Sequence, residues 1–135
     1  MSPFTTPGLA RFAEEVDAER ARQLARFGDQ RHPDGTGNVG QQEYAESARR
    51  WCQDAFGCGY GTWADVLDKK VAEAKAERDP ARLRAELIQV SAVCAAWVSD
   101  LDRRPAAPAC QCLPASPAAP RIYCDACLAA GVSPS

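Results

Sequence analysis

Apolar residues recur every three or four positions through the first hundred residues, the spacing of one face of an α-helix. Leu9, Phe12, Ala13, Val16, Leu24 and Phe27 follow it with Arg20 in register, and Gly28 supplies a stop. This predicts a first helix beginning after Thr6, where Pro7 suits the opening turn. The segment RHPDGTGNVG at 31–40 has loop chemistry, with Pro33, Asp34-Gly35 and two further glycines. A second helix fits about 41–56, carrying Tyr44, Ala48, Trp51, Cys52 and Ala55 on one side, before Gly57, Gly59 and Gly61 interrupt. Thr62 is a good N-cap for a third helix, whose stripe Trp63, Val66, Leu67, Val71 and Ala74 runs to about Arg78. Asp79-Pro80 pairs an N-cap with proline at the first helical position and opens a fourth helix reaching about Arg104. Its inward row reads Leu83, Leu87, Val90, Cys94, Trp97, Val98 and Leu101. No strand is predicted. The class is all-α, a helical bundle of about four helices.

Composition divides the chain. Of ten prolines, six lie in 105–135, a stretch with one acid, Asp125, and one base, Arg121. The PAAPA segment from Pro105 cannot continue a helix, so the expected organisation is a helical domain at 1–104 and a Pro/Cys-rich tail at 105–135. The 16 basic and 18 acidic residues leave a net charge of −2, without the basic stripe of a nucleic-acid binder. No apolar run approaches the roughly 20 residues of a membrane span. The start, MSPFTTPGLARF, shows no basic stretch followed by an apolar one. The expected location is therefore cytoplasmic, with no membrane partner.

The short turn at Asp79 makes the third and fourth helices antiparallel neighbours. Glu73 lies six residues before Asp79 and Glu86 seven after it, so the two stand at about the same height, roughly 9–10 Å from the turn. One turn further out, Lys70 and Gln89 match on the same faces by i, i+3 spacing. Lys70 falls on the apolar row, where a carboxylate would signal divalent-metal chemistry. Its simplest role is to extend outward and salt-bridge Glu73.

The stretch TWADVLDKKVAEAKAERDPARLRAELIQVSAVCAAWVSDLDRR (62–104) resembles the core of the MazG-like all-α nucleoside triphosphate pyrophosphohydrolases of actinobacteria and their phages. The upstream ERARQLARFGDQRHPDGTG (19–37) is similar to a conserved segment of the same group. The resemblance implies cleavage between the α and β phosphates, with Mg²⁺ held by a Glu-x-x-Glu pair on one helix and a Glu-x-x-Asp pair on the next. It assigns Glu73 and Glu86 as catalytic metal ligands, with Lys70 and Gln89 standing where two further acids are usual and read as substrate-binding residues, Lys70 as a point charge for phosphate. Lys69 replaces another usual acid, and Glu77 is a reserve ligand one turn beyond Glu73. Arg26 and Phe27 stand where a Lys-Trp pair is common, which offers a cation for phosphate and a ring for a base; Phe27 as core and Arg26 as surface is the plain alternative. His32, the only histidine, is a weak general-acid candidate or a turn residue. The resemblance also implies a homodimer.

The seven cysteines are many for so short a chain without a visible leader. Cys110, Cys112, Cys124 and Cys127 form a C-x-C and a C-x-x-C with eleven residues between them. Two close pairs joined by a loop fit a tetrahedral Cys₄ Zn²⁺ site, whose metal would supply folding free energy that the tail's few apolar side chains cannot. Incidental thiols and redox pairing are the alternatives. Cys52, Cys58 and Cys94 read as core or loop residues.

Three functions follow. One is a Mg²⁺-dependent nucleotide pyrophosphohydrolase weakened by Lys70 and Gln89. The second is a non-catalytic relative that binds a nucleoside triphosphate or a protein. The third makes the zinc tail on a helical dimer the element that recognises a protein partner.

Overall fold

The computed structural model describes residues 3–105 and 125–131. Those residues form helices α1 (Leu9–Phe27), α2 (Val39–Gly57), α3 (Trp63–Ala76), α4 (Pro80–Arg103) and the short α5 (Asp125–Ala129), with no strand among them. The chain divides after Arg103 into two units. None of these helices is long and apolar enough to cross a membrane.

Local chemistry explains most boundaries. Thr62 Oγ1 accepts from Asp65 N at 3.2 Å while Asp65 Oδ2 accepts from Thr62 N at 3.0 Å, a reciprocal capping box that starts α3. Asp65 also accepts from Trp51 Nε1 at 2.9 Å, which ties α2 to the start of α3. The Trp51 bond, followed by those from Thr62, holds the Asp65 carboxyl below its ordinary range. Its contribution to stability is therefore complete above the ordinary carboxylate range and is lost as pH falls through the lowered value. Asp79 caps α4 as its sequence suggests, with Arg82 N donating to Oδ2 at 3.0 Å.

Three boundaries differ from those the sequence predicts. Gly8 has φ 79°, a left-handed conformation, so α1 begins at Leu9 and Pro7 stands outside it. The helix α2 starts at Val39 because Asn38 and Gln41 form a second capping box. The third, α3, stops at Ala76, and Glu77 is extended. The 31–40 loop determines that stop. Gly37 N donates to Lys75 O at 2.8 Å, Thr36 Oγ1 to Glu77 O at 2.6 Å, and Arg78 Nε to Gly37 O at 2.7 Å. The loop thus satisfies carbonyls that a helix end leaves without partners. Gly37 has φ 85°, and a Cβ there would overlap the Arg78 side chain, so only glycine fits this clasp.

The buried core is made of small residues. Ala45, Ala48, Cys52 and Ala55 line one face of α2, and Ala72 of α3 packs against Ala45 and Ala48, while Ala74 is buried elsewhere on α3. Small side chains allow close approach of the two helices, and Tyr44 Oη donating to Asp68 adds a polar link beside them. Between α3 and α4, Trp63 and Trp97 stack with centroids 6.3 Å apart, and Trp63 Nε1 donates to Asp100 Oδ2 at 2.8 Å. Neither α1 nor α4 contains a fully buried residue. Leu87 and Leu101, expected inward, are about half exposed, and Cys94 is half-buried. Of the helices α2 to α4, α1 contacts only α4. Arg11, near the start of α1, lies 3.6 Å from Asp102, and just before the helix Ser99 Oγ donates to Pro7 O at 3.5 Å.

Because Ala45 is 1% exposed, Ala45→Leu forces α2 and α3 apart. The expected loss is about 1–3 kcal/mol of unfolding free energy in urea titration. Unchanged stability would contradict close α2–α3 contact.

Candidate functional site

The turn at Asp79 puts α3 and α4 in the register counted from the sequence. Lys70 Nζ donates to Gln89 Oε1 at 2.8 Å, which joins the two positions predicted to match. The same ammonium lies 3.8 Å from Glu73 Oε2. Lys70 is 23% exposed and Glu73 13%, so the lysine faces the seam between the helices and does not extend freely into solvent. The expected ion pair of Lys70 with Glu73 is present, and its hydrogen bond to Gln89 follows from the matching positions of the two residues.

Glu73 has two more cationic neighbours. Arg49 Nε from α2 and Lys69 Nζ from α3 each stand 3.9 Å from Glu73 Oε1. Neither distance is a hydrogen bond. Glu73 Oε1 and Glu86 Oε2 are both shielded from solvent, and neither accepts a hydrogen bond. A shielded carboxylate oxygen needs a compensating charge. For Glu73, three side-chain cations within 4 Å provide it.

These residues do not fit a bound Mg²⁺. An ion coordinated by Glu73 would share its carboxylate with Lys70, Lys69 and Arg49, whose charged groups stand within 4 Å of its oxygens. At an effective dielectric near 20, a unit charge ~5 Å away repels a divalent ion by roughly 7 kcal/mol. Only Glu73 and Glu86 remain as carboxylate donors, while Gln89 Oε1 already accepts from Lys70. Among the described residues, no group of three or more His, Cys, Asp or Glu side chains is placed to hold a metal ion. Glu77, expected one helical turn beyond Glu73, has left the helix, and its carbonyl accepts from Thr36.

The remaining candidates stand elsewhere. Arg26 and Phe27 end α1, where the guanidinium carbon sits 5.0 Å from the Phe27 ring centroid and the ring is 56% exposed. Phe27 is therefore not a core residue within the chain. His32 is exposed in the loop. Cys127 lies on α5, while Cys110, Cys112 and Cys124 fall outside the described residues. Arg49 was missed by the sequence reading. Its place beside Ala48, at the edge of the α2 stripe, was the available signal, but the partner that makes it part of the site is on another helix.

No protein-family model, curated protein or solved structure matches the chain.

Replacing Lys70 by Met should cost about 1–2 kcal/mol, less than a fully buried ion pair because the lysine is partly exposed. Adding Glu73→Gln to Lys70→Met should be less harmful than the two separate losses combined, with a coupling of about 1 kcal/mol in chemical denaturation. Additive losses would mean that Lys70 does not neutralise Glu73.

Proposed function

We propose that the chain is a MazG-like helical protein that binds a nucleoside triphosphate without efficiently hydrolysing it. The observation that carries this reading is the position of the Lys70 ammonium, held between Gln89 and Glu73 where the related enzymes would place a carboxylate for metal. The resemblance of 62–104 and 19–37 supports the nucleotide as ligand. The cationic surroundings of Glu73 weigh against Mg²⁺-dependent turnover. A tethered ammonium neutralises the seam permanently, whereas hydrolysis through metal needs an ion to activate water and stabilise the leaving phosphates. On the spacing of its cysteines, the tail is proposed as a separate Zn²⁺ module of Cys110, Cys112, Cys124 and Cys127 that serves partner recognition.

Pyrophosphate release from a panel of nucleoside triphosphates, with Mg²⁺ or Mn²⁺, tests this directly. The natural sequence should remain at background, and Lys70→Glu should gain metal-dependent release. Turnover by the unsubstituted protein at an ordinary enzyme rate, ~1 s⁻¹ or more, would overturn the non-catalytic reading.

The functional unit is proposed to be a homodimer. Residues 14–35 are all exposed, and α1 carries Val16, Leu24 and Phe27 on that surface at 43%, 46% and 56% exposure. A core of alanines buries little apolar area for a domain of this size, so a second copy covering α1 supplies what is missing. Light scattering after gel filtration should give twice the chain mass at micromolar concentration, and Leu24→Glu should shift it to the monomer. A monomeric unsubstituted protein would remove the dimer.

A further inference from the structure

Residues of α2 and α3 line a surface cleft of about 430 Å³. Its lining is Arg49, Cys52, Gln53 and Phe56 from α2 and Lys69 from α3. The α2 residues follow i, i+3, i+4, i+7 spacing and so share one helical face. No acidic side chain lines this cleft, although the protein as a whole carries a net negative charge.

The two cations are held side by side with hydrogen-bonding capacity left over. Glu73 Oε1 lies 3.9 Å from each of them, near enough to attract and too far to accept a hydrogen bond. The carboxylate is 13% exposed, while Arg49 and Lys69 are 48% and 35% exposed. The negative charge is thus the deeper group, and both cations stay partly open to solvent where they line the cleft. Arg49 has one competing partner, Glu46, at 3.4 Å, in an exposed i, i+3 pair of the kind that contributes little. Among the described residues, Lys69 has no partner other than Glu73. The Phe56 ring, 52% exposed, forms an apolar wall beside these donors, and Gln53 adds an amide.

We propose that this cleft is a metal-independent phosphate site, in which Arg49 and Lys69 bind the phosphate oxygens and Phe56 supports a planar group esterified to that phosphate. Guanidinium and ammonium groups are the side chains suited to phosphate, the first as a fork and the second as a point charge. The cleft volume suits a phosphate together with one ring system. With no carboxylate on its walls the cleft offers nothing to a cation carried by the ligand, so the free phosphate binds better than its Mg²⁺ complex. The proposal extends the nucleotide-binding reading without resting on it, since it uses only the geometry of α2 and α3.

The test is calorimetric titration of the full chain in EDTA at low salt, with inorganic phosphate and phenyl phosphate as probes. Phenyl phosphate should bind saturably and about tenfold more tightly than inorganic phosphate, as expected for added aromatic contact. Arg49→Gln and Lys69→Gln, checked for folding by circular dichroism, should each weaken binding about tenfold or more. Phe56→Leu should abolish the preference for the ring, and Mg²⁺ in place of EDTA should weaken binding. Absence of saturable phenyl phosphate binding, affinity unchanged in both cation variants, or binding seen only with Mg²⁺ would each overturn the site. Pyrophosphate release by the unsubstituted chain would instead overturn the non-catalytic reading and leave this proposal standing.

Discussion

Carboxylates turned into a helical seam must be neutralised, and the source of the neutralising charge governs the chemistry the seam can support. Here Lys70 reaches across from α3 to Gln89 on α4 while remaining 3.8 Å from Glu73. Arg49 from α2 and Lys69 from α3 complete the compensation. Side chains of α2 and α3 therefore meet at one largely shielded negative charge, and Lys70 ties that group to α4. A soluble ion could leave and return, but a side-chain ammonium is fixed in the sequence. The sign of the compensating charge is consequently a property of the fold, although the partly exposed cations remain subject to salt screening.

Much of the α3–α4 arrangement was legible in the sequence because short-range rules determined it. Thr62 and Asp79 are caps, Pro80 suits a first turn, and counting residues from a tight turn gives the heights of facing side chains. That arithmetic placed Lys70 opposite Gln89, as observed. The end of α3 was less legible, since Glu77 and Arg78 are ordinary helix residues. They leave the helix because backbone and side-chain groups of Thr36 and Gly37, some forty residues earlier, bond there. Hydrogen bonds of that kind leave little trace in hydropathy.

Periodicity judged burial in part. Ala48, Cys52, Ala55 and Ala74 lie on the rows marked as inward and are buried, but the large members Tyr44, Trp51, Leu87 and Leu101 are about half exposed. Spacing tells which residues share a face but not how near the opposing helix comes. Close α2–α3 approach fills its interface with small groups and leaves Tyr44 and Trp51 at the margin, hydrogen-bonded to Asp68 and Asp65. Arg49 escaped notice for the same reason, since its part in the site depends on that approach.

The clasp between the 31–40 loop and the end of α3 has a kinetic consequence. Its bonds join residues on either side of the α2–α3 pair, from Thr36 and Gly37 to Lys75, Glu77 and Arg78. The pair is thereby enclosed in a single loop of chain closed by hydrogen bonds. Neither helix can detach through its own boundary without opening that closure, so local fraying gives way to a joint, sub-global opening. Amide protons in α2 and α3 should accordingly exchange with solvent at similar free-energy cost, as one cooperative unit, while the second half of α1 exchanges independently.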